Sequence, residues 1–308
     1  MNFGFNTFCL LKKILPALLV MICNLCLGAV AQADELDEFL DTKFSDLVNV
    51  NIRSATKSEH QLFDSAAAVF VLTEEDIRRS SANSIPDLLR LVPGLDVGKS
   101  DSNTWAISAR GFQHRFANKM LVLLDGQSVY TFAFGGVRWE DLPVTLTDIK
   151  KIEVVRGPGG TIWGANAVNG VINIITKHSS ETRGWRVQAG AGNKEQGFGS
   201  LSYGGDVSDD TSYRISAGGA SRETEREPDY LSSTAGDDWA HGQAAFRLDS
   251  RLSNEDTLML NLRGFAFDGE NIAREANFTP PASYDQSLLG TESEGGSILS
   301  LWQHQYSD

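Results

Sequence analysis

The hydrophobic period of the sequence changes near Gly184, and this constrains the fold more than any other feature. Beyond that point helical spacing disappears and apolar and polar residues alternate. Trp185, Val187, Ala189 and Ala191 interleave with Arg186, Gln188, Gly190 and Gly192. Tyr213, Ile215 and Ala217 interleave with Arg214, Ser216 and Gly218, and Ala244, Phe246 and Leu248 with Gln243, Arg247 and Asp249. Leu258, Leu260 and Leu262 alternate with Met259, Asn261 and Arg263, and Ile298, Ser300 and Trp302 open a last run. Period two marks strands with two unlike faces. With residues 198–203 these runs make six strands. The phase slips near Gly264, where Phe265 and Phe267 change parity; a β-bulge there would produce this, and the register stays open.

Strands of this kind suit either a soluble sandwich or a membrane barrel that is apolar outside and polar toward its lumen. Residues 206–210 and 253–256 read as short turns, and 223–238 and 268–296 as long polar connections. Alternating short and long connections are what an outer-membrane barrel needs.

Upstream, residues 67–177 read as a small α+β domain. Residues 68–72 (AVFVL) form a buried strand. Thr73 caps a short helix to about Arg79, with Glu74, Glu75 and Asp76 in the first turn, where the helix dipole favours acids. Ser84 caps a second helix carrying Pro86 in its first turn, and Pro93-Gly94 stops it. Residues 120–124 (MLVLL) are an apolar strand that breaks at Asp125-Gly126, a turn dipeptide. Residues 148–155 run from a helix end or turn into a strand, and 171–176 (VINIIT) form another.

Before this domain, Lys12 and Lys13 precede an uncharged stretch that ends in Ala31-Gln32-Ala33. This is the layout of a signal peptide cleaved after Ala33. The apolar core, residues 14–28, is short for a membrane anchor. Cys9, Cys23 and Cys26 all lie in this leader, so the mature chain has no disulfide and no thiolate metal site. Losing the two lysines takes the net charge from −13 to −15. A chain this acidic lacks the basic footprint that nucleic acid requires. Export, acidity and the absence of cysteine fit a bacterial periplasm or outer membrane.

At the junction of the two regimes, residues 152–177 read IEVVRGPGGTIWGANAVNGVINIITK. This closely resembles the end of the plug domain of TonB-dependent outer-membrane receptors. Three more pieces agree in order: SIPDLLRLVPGLDV (84–97), ISARGF (107–112) and LVLLDGQSV (121–129). The resemblance covers about residues 47–178. It implies an α+β plug domain (61–178) followed by antiparallel transmembrane β-barrel strands (184–308), with about six strands present and the barrel incomplete. It implies plug motif turns at Gly111, Asp125, Gly126, Gly157, Pro158 and Gly164, where glycine permits tight geometry. It also implies that Arg110 and Arg156 anchor the plug to carboxylates on the barrel's inner wall; the alternative is an ordinary surface arginine.

Residues 46–52 (DLVNVNI) lie between the leader and the plug, in a periplasmic segment spanning 34–60. By position, Val48, Val50 and Ile52 resemble the Ton box, an extended segment that the partner TonB grasps as an added strand. The alternative is the plug's own first strand. The resemblance makes two loops candidate ligand contacts, through Trp105, Tyr130, Phe132, Phe134, Arg138 and Trp139. Aromatics with a cation suit an anionic, partly apolar metal chelate, although the same aromatics could pack under the barrel's outer loops.

No cofactor, metal site or catalytic constellation emerges. The five histidines are scattered, no G-x-S-x-G elbow occurs, and no Lys-Ser or Lys-Thr follows Gly164 as a phosphate loop would require. The expected function is therefore TonB-dependent uptake of a scarce chelate (ferric siderophore, haem or cobalamin) by a monomer in outer-membrane lipid. Family barrels have about 22 strands, and six cannot close around a plug of this size. On that count the sequence reads as an N-terminal portion, and a plug-only binding protein or a truncated remnant is the alternative.

Overall fold

The computed structural model describes residues 51–52, 60–61, 68–99, 102–111, 118–131, 135–157, 163–192, 195–222, 238–279 and 283–306. The leader, Val48, Val50, Phe132, Phe134, Pro158 and the connection at 223–237 lie outside the described residues.

β1 (Asn51–Ile52) and β2 (His60–Gln61) pair antiparallel in a sheet of their own. The α+β domain follows. β3 (Ala68–Thr73) leads into α1 (Glu74–Arg79) through a reciprocal cap. Asp76 N–H donates to Thr73 Oγ1 at 3.2 Å, and Thr73 N–H donates to Asp76 Oδ2 at 2.9 Å. Two helix-end donors are thereby satisfied. Ser84 caps α2 (Ile85–Leu89): Asp87 N–H donates to Ser84 Oγ at 3.3 Å, and Ser84 Oγ donates to Asp87 Oδ2 at 2.7 Å. The helix buries Ile85, Leu88 and Leu89.

β4 (Leu95–Lys99) and β5 (Trp105–Ala109) form an antiparallel pair. β6 (Met120–Leu124), β7 (Gln127–Ser128), β8 (Ile149–Arg156) and β9 (Gly170–Thr176) join β3 in a five-stranded sheet ordered β3-β8-β9-β6-β7. β6 and β9 run parallel, and the other pairs are antiparallel. Both faces of this sheet are covered, so β6 and β9 are apolar runs rather than alternating ones. Val122, Leu124, Ile152, Val154, Ile172 and Ile174 pack with the helices on one face. Leu121, Leu123, Val155 and Val171 pack with Ala167 on the other.

A 3₁₀ turn (Ser179–Thr182) leads into six sequential antiparallel strands. These are β10 (Gly184–Gly190), β11 (Glu195–Ser208), β12 (Thr211–Arg222), β13 (Trp239–Arg251), β14 (Asp256–Asn277) and β15 (Ser283–His304). Their burial is inverted relative to a water-soluble sheet. Trp185, Val187, Ile215, Ile298 and Trp302 are exposed on one face, while Arg214, Arg247, Asp249, Asn261 and Arg263 are buried on the other. A soluble sandwich buries its apolar face, so this pattern selects the membrane-barrel wall. Trp185, Tyr203 and Tyr213 meet at centroid distances of 4.7 and 6.2 Å near the short-turn end, as in an interfacial aromatic girdle.

Two sequence expectations are corrected. The polar stretch 268–296 is not a long connection: β14 runs on to Asn277 and β15 begins at Ser283. Continuous backbone pairing from Asp256↔His304 to Asn277↔Ser283 carries the ladder where apolar alternation has faded. Nor is there a bulge at Gly264, because the register with β13 is unbroken from Trp239↔Gly269 to Arg251↔Thr257. The parity of the apolar residues changes there because Phe267 faces inward, 3 % exposed, against the plug. Among the wall strands, the described irregularities lie instead between β11 and β12, at Glu195/Gly197 and Asp206/Ser208.

Gly204 marks a close approach of the wall to the 3₁₀ turn that leads into it. A Cβ there would lie 2.1 Å from the Thr182 carbonyl oxygen, whereas one at Gly242 would meet nothing within 4 Å. Gly204→Ala should therefore destabilise the fold by about 1–3 kcal/mol through overpacking, lowering the unfolding temperature in detergent. Gly242→Ala should not lower it.

Candidate functional site at the plug–wall seam

The seam is built around one two-residue turn. Asp125 and Gly126 have φ of 50° and 86° and link the paired residues Leu124 and Gln127. Both left-handed conformations are those of a type I′ hairpin. The turn aims the Asp125 carboxylate away from its own sheet toward the wall. Within the plug it accepts from Thr176 N at 2.8 Å and Thr176 Oγ1 at 2.8 Å. From the wall it accepts from Asn261 Nδ2 at 3.3 Å and pairs with Arg263 Nη2, while Arg247 Nη1 lies 3.9 Å away.

The neighbouring wall residues extend this network. Arg247 forks onto Asp249 with two bonds of 2.8 Å and donates to Thr176 Oγ1 at 2.7 Å. Asp249 in turn accepts from Ser179 N at 2.8 Å and Ser179 Oγ at 2.7 Å. Arg214 Nε lies 3.3 Å from Asp148 Oδ1, and its Nη1 donates to the Lys177 carbonyl at 2.8 Å. Lys177 Nζ reaches Glu74 on α1 at 2.6 Å. Three buried arginines thus face three buried aspartates. A buried charge of this kind persists only when paired and hydrogen-bonded.

The polarity of this seam differs from the expectation for Arg110 and Arg156. In the described pairs the wall supplies the arginines and the plug supplies Asp125 and Asp148. Arg156 Nη1 instead donates to the Pro93 carbonyl at 2.6 Å, within the plug. Arg110 is exposed, with φ of 61°, beside Gly111 at 77°, and Gly111 N–H donates to Asp96. Gly157 and Gly164 also take positive φ, at 136° and 79°. Sequence reasoning missed Arg214, Arg247 and Arg263 as anchors. Their signal was parity, since each occupies the polar phase of its strand.

The candidate ligand loops lie at the other end, away from the short turns of the wall. Trp105 and Trp139 are 9 % and 8 % exposed and belong to the plug core. Arg90 and Lys99 lie 5.4 and 5.3 Å from the Trp105 ring. Arg138 Nε contacts Glu140 at 3.2 Å and Asp141 at 2.9 Å, and its guanidinium lies 5.7 Å from the Phe267 ring of the wall. Ser293 of the wall donates to Asp141 at 3.1 Å. Arg138 and Asp141 therefore meet the wall, while Trp139 belongs to the plug core. Tyr130 is half-buried in a small loop closed by Thr131 N–H to the Gly136 carbonyl at 2.8 Å.

Burial pushes the Glu140 carboxyl up to about 7, against the opposing pull of its own backbone hydrogen bond and of Arg138. Burial raises Asp141 as well. The folded protein therefore binds more protons than the unfolded chain between about pH 4.5 and 7. The stability this contributes is fully present below that window and is lost as pH rises through it. Glu140→Gln should flatten this slope in unfolding measurements at pH 5 and pH 8. At the opposite end, Asp125→Asn leaves two buried arginines short of a counter-charge and should cost about 3–5 kcal/mol. Adding Arg263→Met should recover part of that loss, read from unfolding midpoints.

Residues 61–171 match the family model of the TonB-dependent receptor plug domain. The vitamin B12 transporter BtuB of Vibrio vulnificus is 35 % identical over 145 residues, covering 46 % of this chain and 23 % of that protein. BtuB of Photobacterium profundum is 26 % identical over 292 residues, covering 93 % of this chain and 44 % of that protein. The chain thus spans less than half the length of these relatives. Among solved structures, Pseudomonas aeruginosa FpvA bound to heterologous pyoverdines superposes with a TM-score of 0.64 at 16 % identity, over 84 % of this chain and 34 % of that one. The siderophore receptor PirA from Acinetobacter baumannii gives 0.52 at 22 % identity, over 66 % and 32 %. Those two likenesses are of fold. Residues 61–171 thus form a TonB-dependent receptor plug domain, and six antiparallel wall strands follow it among the described residues.

Proposed function

We propose that the chain works in TonB-dependent active uptake of a scarce metal chelate across the outer membrane. The chelate would be cobalamin, haem or a ferric siderophore. The observation that carries this reading is a plug seated on the polar inner face of the wall, held there by Arg214, Arg247 and Arg263 through Asp125 and Asp148. Separating an apolar plug core from an apolar wall would expose greasy surface to water. Separating ion pairs exposes charges that water solvates well, so their net contribution to holding the plug is modest. Such a seam can open under a pull and close again.

In this reading Val48, Val50 and Ile52 are the segment TonB grasps as an added strand. Ile52 already has extended backbone, paired with His60 rather than with the plug's main sheet. In the same reading Tyr130, Phe132, Phe134, Arg138 and Trp139 are the candidate ligand contacts. Cobalamin is the first ligand to try, because the two sequence relatives are named vitamin B12 transporters.

The test is accumulation of labelled cyanocobalamin, haemin and a ferric siderophore by cells producing the receptor, with and without TonB. One of the three should accumulate only with TonB. Val50→Pro, which removes a donor from the added strand, should abolish accumulation while surface binding persists. Accumulation that ignores both TonB and Val50→Pro would contradict the reading.

A further inference from the structure

The outer end of the plug touches the wall at several described points. Asn103 Nδ2 donates to the Glu270 carbonyl at 3.3 Å, and Trp239 Nε1 donates to the Ser102 carbonyl at 3.1 Å. Ser293 Oγ donates to Asp141 at 3.1 Å, and the Arg138 guanidinium lies 5.7 Å from the Phe267 ring. The last two contacts set residues 138–141 of the plug against the β14–β15 hairpin, whose pairing continues beyond them to Asn277↔Ser283.

Charge is not balanced in this segment. Arg138 Nε lies 3.2 Å from Glu140 and 2.9 Å from Asp141, and the three side chains are only 17, 12 and 13 % exposed. One guanidinium therefore serves two nearly buried carboxylates. At the short-turn end three arginines face three aspartates, so the surplus anion is peculiar to the outer end. The surroundings contain further charges. Arg222 of β12, 6.0 Å from the Trp239 ring, and His241 of β13 border the same space as Glu140. Asp268 and Glu270 of β14 and Glu292 and Glu294 of β15 are exposed. Within the plug, Arg90 and Lys99 lie against Trp105. The charges that act on the Glu140 carboxyl are Arg138, which favours its ionised form, and Asp141, which opposes it. A nearly buried carboxylate that shares its only close cation with a second acid is readily neutralised by a proton.

We propose that Arg138, Glu140 and Asp141 form a proton-operated latch between the plug and the β14–β15 hairpin. With Glu140 protonated, Arg138 and Asp141 match one to one and the latch is shut. With Glu140 ionised, the surplus charge favours separation, because water then solvates both carboxylates. Burial raises this carboxyl to about 7, which brings the change close to neutral pH. The shut state binds more protons than the open one, so it is favoured below that value and weakened as pH rises through it. Should opening return the carboxyl to its ordinary 4.5, the ratio of shut to open protein falls up to about thirty-fold from pH 5.5 to pH 8.5. The latch does not depend on which chelate is carried or on a pull from TonB.

The test uses the protein extracted from outer membranes into detergent, without ligand. Leu91→Cys on the plug and Leu289→Cys on the hairpin place nitroxide labels at two exposed positions. Their separation is read by pulsed dipolar electron resonance at pH 5.5 and pH 8.5. We expect one narrow separation at the lower pH and a second, displaced population at the higher, with a midpoint near pH 7. Glu140→Gln should hold the narrow separation at both. Asp141→Asn should do the same, since it leaves Arg138 and Glu140 matched one to one, and it carries the test if Glu140→Gln does not fold. Heat-modifiable migration on gels checks the folding of each variant. An identical separation at both pH values, or a pH-driven change that survives in the folded variants, would overturn the proposal.

Discussion

The structure depends on the burial of charge between two layers that share no apolar core among the described residues. Arg214, Arg247 and Arg263 point into the wall's interior, where an unpaired guanidinium would be prohibitively costly. Asp125, Asp148 and Asp249 make their presence tolerable, and Thr176, Ser179 and the Lys177 carbonyl supply further hydrogen bonds. The balance of three cations and three anions leaves little net field at the seam. It also makes the seam specific. The Asp125 carboxylate reaches the wall because the Asp-Gly turn has the hand it has, and a slip of one residue in β14 would turn Arg263 out toward lipid.

Several features follow from this arrangement. The plug can be a self-sufficient α+β domain, with its apolar residues consumed by its own two-faced sheet and capped helices. The wall can be thin, with aromatic and aliphatic side chains on its outer face and many charged or polar ones on its inner face, where Phe267 also lies. Contact between the two is then polar at the short-turn end, through the arginines. At the other end it is mixed, through Arg138 against Phe267 and Asp141 against Ser293. A domain fastened in this way is well placed and still removable, which is what a gate requires.

Much of this was legible in the sequence, because local chemistry and tertiary context agree. Thr73 and Ser84 were readable as caps, Asp125-Gly126 as a hairpin turn and VINIIT as a buried strand, since each signal acts within a few residues. The wall strands were readable from period two alone. What could not be read depends on partners distant in sequence. The pairing of Asp125 with Arg263 spans 138 residues, and nothing local says which arginine meets which acid. Phe267 looked like a break in phase because its burial comes from the plug. The long β14–β15 ladder looked like a loop because its polar side chains hide a backbone pattern. Trp105 and Trp139 looked available to a ligand because sequence cannot show that the core already holds them.

The central claim is that the plug must move against the wall for transport to occur. Residues 34–308 lack cysteine, so an engineered disulfide tests this directly. Asp141→Cys with Ser293→Cys replaces an existing plug-to-wall contact of 3.1 Å by a covalent tether, and each single substitution serves as its control. With the tether oxidised, chelate should still bind at the cell surface but should no longer accumulate, and a reductant should restore accumulation. Undiminished accumulation with the tether fully formed would contradict the account.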